Sequence, residues 1–180
     1  MEANLKLYHC NDAKRCNRFL KDKNYYIISK EDGIWLGNGM YFWDNISNAL
    51  YWQDIKIRKN KDGDYKIVSA NVLLSKLLDL TDKQVCVKMN YLWNIFQNTI
   101  GDHKEVELGK RLNILFDYFH DILVAEYDVI KIYGYYKENS KNEFISYDPN
   151  IKYPQPRLDT KCIYSVRNIN CIFDRKEVNN

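Results

Sequence analysis

Apolar and polar positions alternate along this chain with two periods, and the switching between them predicts an ordered mixture of strands and helices. Residues 5–8 form a short apolar stretch suited to a strand, and Asn11 and Asp12 beyond it are good helix N-caps. Cys16, Phe19 and Leu20 then share one face of a helix predicted over 13–20, which ends at the polar run 21–24. Gly33, Gly37 and Gly39 punctuate a loop that enters an aromatic strand at Tyr41, Phe42 and Trp43. Asp44 or Asn45 caps a helix predicted over 46–55, and the charged segment 56–64 breaks the pattern at Gly63. Period-two alternation over 65–74 predicts another strand, and Leu77, Leu78 and Leu80 carry the apolar path to Asp82, where the helical half begins.

The strongest helical signal is Leu108, Leu112, Leu115, Phe116, Phe119 and Ile122, spaced by threes and fours, and its plain role is core packing. Residues 124–136 have the β-branched and aromatic richness of a buried strand. The polar stretch 137–157, with prolines after Asp148, is expected to be a long exposed loop; 162–166 and 171–173 follow as two short strands, and 174–180 as a frayed tail. No repeat and no βαβ periodicity organise these elements, so the class is α+β. A length of 180 residues with 46% hydrophobic content suits a single domain over 1–180.

Charge changes this picture little. Lys and Arg number 27 against 24 Asp and Glu, a net charge of +3 without a basic stripe, which neither demands nor excludes nucleic acid. Five cysteines, an odd number without a C-x-x-C pair, point to free thiols in a reducing cytoplasm. The N-terminal residues hold no apolar signal region, and no run approaches the roughly 20 apolar residues of a membrane span, so a soluble cytoplasmic protein without a membrane partner is expected.

Few polar residues stand where chemistry is plausible. His9, His103 and His120 lack ligand spacing, so no metal site is expected, and His9 alone reads as a histidine satisfying backbone groups at a strand end. Cys10 adjoins His9, but neighbours on a strand point to opposite faces, which argues against a nucleophile and base pair. The glycines make neither G-x-G-x-x-G nor a Walker loop.

Three segments in order carry more weight: Tyr8-His9 after a strand, then Trp35-Leu36-Gly37-Asn38-Gly39-Met40-Tyr41-Phe42-Trp43, then Ala49-Leu50-Tyr51-Trp52. Together they resemble the ADP-ribosyltransferase family of the diphtheria toxin and poly(ADP-ribose) polymerase class, and in particular its small bacterial or phage members. Leu77 to Asp82, Tyr127 to Lys131 and Thr160 to Ile172 resemble later segments of the same family, so the resemblance spans nearly the whole chain. It implies an α+β fold with a split antiparallel sheet core and flanking helices.

The resemblance also implies NAD⁺ as substrate and no metal. Carried over, His9 would hydrogen-bond the adenosine-side ribose and the backbone of Cys10 would pair with the nicotinamide carboxamide. Tyr41 would wall the nicotinamide pocket, with Trp52 stacked on the nicotinamide face and Tyr51 as the fallback. The third catalytic position, an acid in many relatives, falls on Ile163, with Asp159 and Glu126 as alternative sources of a carboxylate. Cys10 and Asn11 stand where the family usually has Gly and Thr. His9, Tyr41 and Ile163 resemble the mono-transferring members, which implies transfer of one ADP-ribose to a protein or nucleic-acid acceptor, in a toxin or phage-conflict effector with a neutralising antitoxin protein as a possible partner. A catalytically silent NAD⁺ or ADP-ribose binding module and an NAD⁺ glycohydrolase are the alternatives.

Overall fold

Strand pairing carries the first apolar stretch further than its hydrophobicity does: β1 spans Asn4–Asp12. The computed structural model describes residues 3–30, 33–101, 105–136, 148, 150–155 and 157–178. The side chain of Asp12 accepts from the Arg15 amide and so caps α1 (Ala13–Lys21), which buries Ala13, Cys16 and Phe19. β2 (Met40–Trp43) follows, then α2 (Ile46–Lys59), capped by Asn45 and one turn longer than expected. β3 (Tyr65–Leu73) and β4 (Leu77–Asp79) lead to three helices, α3 (Lys83–Ile100), α4 (Leu108–Tyr118) and α5 (His120–Glu126). β5 (Val129–Tyr135), β6 (Thr160–Val166), a 3₁₀ turn and β7 (Ile172–Glu177) complete the order.

The fold is α+β. Among the described residues seven strands join one sheet in the order β4-β5-β6-β2-β1-β3-β7, antiparallel except between β4 and β5. Side-chain alternation divides the core between its faces. Leu7, Phe42, Val68 and Tyr164 pack with Cys16 and Phe19 of α1; Cys10, Trp43, Ile130 and Ile163 pack with Ala49, Trp93, Leu112 and Phe116 of the other helices. Phe19, Phe42 and Phe116 are fully buried, and each such side chain contributes about 1.5–3 kcal/mol by leaving water.

Several expected boundaries are corrected. The spacing over 108–122 continues unbroken, yet the helix ends at Phe119 (φ −103°, ψ 39°) and restarts as α5. The restart turns Leu123 into the core and leaves Ile122 exposed. Val124 consequently belongs to α5, and the strand predicted from there begins at Val129. The tail expected to fray is paired through Glu177 with β3. Arg175 fastens it: Nη1 donates to the carbonyls of Phe19, Asp22 and Tyr25, Nη2 to that of Lys23, and the guanidinium lies over the Phe19 ring. Of the loop predicted at 137–157, residues 137–147, 149 and 156 lie outside the described residues, as does His103. No described helix is long and apolar enough to cross a membrane.

Candidate active site

β1 and β2 adjoin in the sheet, yet among the described residues they share one register pair, Tyr8↔Trp43, before diverging. A side chain spans the gap instead. His9 Nδ1 lies 2.5 Å from the Tyr41 carbonyl oxygen; because a carbonyl only accepts, Nδ1 carries the proton and Nε2 is left as an acceptor. Nε2 takes a hydrogen bond from the Asn11 amide at 3.2 Å. Burial pushes the His9 pKa down to about 4, with Lys56 acting the same way and the Tyr41 hydrogen bond opposing, so the imidazole is neutral near pH 7.

A cavity of about 370 Å³ opens at this divergence, reached by His9, Asn11, Tyr41, Trp52 and Ile163. Its aromatic wall is continuous. Trp35 stacks parallel on Tyr136 at 5.8 Å, and Tyr136 stands edge-on to Trp43 at 5.8 Å. Trp43 in turn meets Trp52 at 6.2 Å. Arg15, paired with Asp12 at 3.3 Å, and Lys56 bring positive charge to the rim, while among the described residues no carboxylate lines the cavity.

Tyr41 is fixed at its far end. Its hydroxyl accepts from the Leu36 amide at 2.9 Å and donates to the Gly37 carbonyl at 2.8 Å. Gly37 has φ +70°, and a Cβ there would meet the Asn113 Oδ1 at 2.3 Å. Only glycine satisfies both conditions, so the glycine loop and the tyrosine hold one another.

The structure brings His9, Cys10, Tyr41, Trp52 and Ile163 to one cavity. Tyr51 does not line it; its ring stands edge-on to Tyr136, with Lys161 Nζ 4.7 Å above it. Ile163 lies opposite Trp43 on β6 and is 3% exposed. Burial raises the Cys10 thiol pKa to about 12, which keeps it protonated and a poor nucleophile. Both alternative carboxylates are placed elsewhere. Asp159 pairs with Arg157, which holds its carboxyl below the ordinary range; Glu126 pairs with Lys88 and Tyr127 on an exposed surface. His120 is exposed beside Asp121, and among the described residues no group of three or more His, Cys, Asp or Glu is placed to hold a metal.

The sequence reading gave no site role to Arg15, Ile27, Ile28, Ser29, Lys56 or Tyr136, and it quoted Trp35 only as part of a motif. Lys56 follows Trp52 by four positions on α2 and so shares its face, a signal that was available. Tyr136 reaches the site only through long-range strand pairing and left none.

No family model matches the chain, and no solved structure matches it. It is similar to a protein described as "Uncharacterized protein MJ0359" of Methanocaldococcus jannaschii, with 28% identity over 98 residues, 52% of this chain and 45% of that protein. The match thus spans less than half of the relative's length, and the relative's description carries no activity to compare.

Proposed function

We propose that this chain is a mono-ADP-ribosyltransferase that cleaves NAD⁺ and passes one ADP-ribose to a macromolecular acceptor. The observation that carries the reading is the tie between His9 and Tyr41 where β1 and β2 share a single register pair among the described residues, beside a cavity lined by aromatic rings. The two motifs that resemble the transferase family, far apart in sequence, meet at that tie.

The residues present suit the dinucleotide. A cavity of about 370 Å³ falls in the range of roughly 300–1,000 Å³ for small-molecule sites. Trp52 and Tyr41 bring aromatic rings to the cavity for a nicotinamide, while Arg15 and Lys56 offer charge to a pyrophosphate, with no carboxylate among the described lining residues to repel it. His9 Nε2, an acceptor, would take a ribose hydroxyl in place of the Asn11 amide.

In the reaction, the bond between ribose and nicotinamide breaks, its electron pair leaves with neutral nicotinamide, and a nucleophile of the acceptor bonds to the ribose carbon. The acceptor's proton passes to its own acidic group or to water. The chain's part is to bind and orient. Ile163 supplies no charge to the ribose carbon, which leaves that role to an acid of the acceptor and favours a single transfer over chain growth. A toxin or phage-conflict effector, countered by a neutralising protein, is the setting we attach to this reading. The lack of a carboxylate among the described lining residues also favours a second reading, a silent module that binds NAD⁺ or ADP-ribose without cleaving it.

The test is incubation of the purified chain with adenylate-labelled NAD⁺ and separated protein and nucleic-acid fractions of a lysate. Free nicotinamide with label on one fraction is expected. Release without label would make the chain a glycohydrolase, and binding without release would establish the silent module.

A further inference from the structure

Behind the wall of the candidate active site lies a second hollow, of about 380 Å³, formed by Tyr26, Ile28, Lys30, Asn38, Gly39 and Arg167. One extended segment separates the two. Ser29 and Gly39 pair through two backbone hydrogen bonds, at 2.9 and 3.3 Å. Ile27 and Ser29 line the first cavity, Lys30 lines the second, and Ile28 touches both.

Arg167 is built into this hollow. Its amide donates to the Asp128 carbonyl at 2.8 Å, and its carbonyl accepts from the Tyr26 hydroxyl at 2.9 Å. The guanidinium lies 4.0 Å over the Phe116 ring, and Nη1 donates to the Asn38 carbonyl at 2.9 Å. Its hydrogen-bond partner is therefore neutral. Among the described residues no carboxylate forms an ion pair with Arg167 or with Lys30, and Asp117 acts on Arg167 only at a distance. Among the described residues that line the hollow there is no Asp or Glu.

Among the described residues the guanidinium, partly removed from water, donates to a neutral carbonyl and forms no ion pair, so an oxyanion would find charge to match. Its planar fork suits two oxygens of one oxyanion, and the lysine adds a second positive charge. A carboxylate would leave one of these charges unbalanced. A phosphate monoester, carrying about −1.5 to −2 near pH 7, would balance both.

We propose that the hollow is a subsite for a phosphate monoester, presented one strand-thickness from the cavity that would hold NAD⁺. It rests on the transferase reading only in taking that phosphate to belong to the acceptor; binding itself is tested without NAD⁺.

Inorganic phosphate titrated into the ¹⁵N-labelled chain is expected to shift the amides of Lys30 and Gly39 and the Arg167 Nε–H, where chloride at equal ionic strength does not. Lys30→Gln, an exposed change that leaves the fold alone, should weaken phosphate binding roughly tenfold or more, the worth of a charged hydrogen bond. Arg167→Lys, which keeps the charge and loses the fork, should weaken it further. A 5′-phosphorylated oligonucleotide binding more tightly than its 5′-hydroxyl twin would place the phosphate on a strand end. Equal binding of the two, with inorganic phosphate still bound, would place it on a small phosphate compound. The subsite is overturned if phosphate moves none of these signals, or if both variants bind it as tightly as the parent. Because NAD⁺ is absent throughout, such a failure leaves the transferase reading untouched.

Discussion

On its β3 side, β1 makes nine consecutive register pairs, Asn4↔Leu73 through Asp12↔Tyr65; on its β2 side, among the described residues, it makes one, Tyr8↔Trp43. The same backbone thus has two edges with different rules. A ladder is generic, since any residue except proline supplies its N–H and C=O. The other edge depends on one imidazole reaching the Tyr41 carbonyl, and only a side chain with a donor at that point can replace it. The ladder edge holds the sheet; the tied edge leaves room for a cavity.

The sharpest way to break this comparison is His9→Ala. On the proposed transferase reading it should abolish NAD⁺ cleavage, and it should also cost about 1–3 kcal/mol, because the Tyr41 carbonyl and the Asn11 side-chain amide lose their partner. Lys6→Ala, exposed on the same strand, should stay within about 0.5 kcal/mol of the parent. Denaturant unfolding and nicotinamide release measure both, and equal stability of the two variants would show that the imidazole does not hold the strands.

Acid should find the tied edge next. Above the ordinary histidine pKa, His9 is neutral whether the chain is folded or not. Between there and about 4, its folded value, the unfolded chain binds a proton that the folded chain does not. Stability therefore falls as pH falls through this window, by roughly 3 kcal/mol in all. The difference between the parent and His9→Gln across pH 4 to 7 isolates this contribution, and parallel curves would contradict it. Smaller still, Tyr41→Phe removes the hydroxyl between the Leu36 amide and Gly37 carbonyl and should cost about 1 kcal/mol. Its nicotinamide release should fall less than that of His9→Ala, since the ring and the strand tie remain.

What could be read from the sequence follows the reach of each signal. Helix starts near Asn11 or Asp12, near Asp44 or Asn45 and near Asp82 were legible because a cap acts within three residues, and packing selects Asp12, Asn45 and Asp82 as the caps. The break at Phe119 was not, since apolar spacing continues through it and only packing decides where the helix turns. β1 looked too short because His9, Asn11 and Asp12 are polar; they serve the split and the α1 cap while the ladder to β3 continues beneath them. At the site, the ordered motifs placed His9, Tyr41, Trp52 and Ile163 on one cavity. The Trp35–Tyr136 stack and the hollow around Arg167 arise from contacts across about a hundred residues or more, where local pattern carries no information.

The grip of Arg175 on the carbonyls of Phe19, Asp22, Lys23 and Tyr25 bears on timing. Tyr25 stands two residues before Ile27, which lines the cavity, so the brace behind that wall comes from a strand made 150 residues later. During synthesis, which adds about 5–20 residues per second, His9 and Tyr41 are made long before Tyr136, Ile163 and this brace. The site therefore takes shape only after residues as far apart as His9 and Arg175 have both been made.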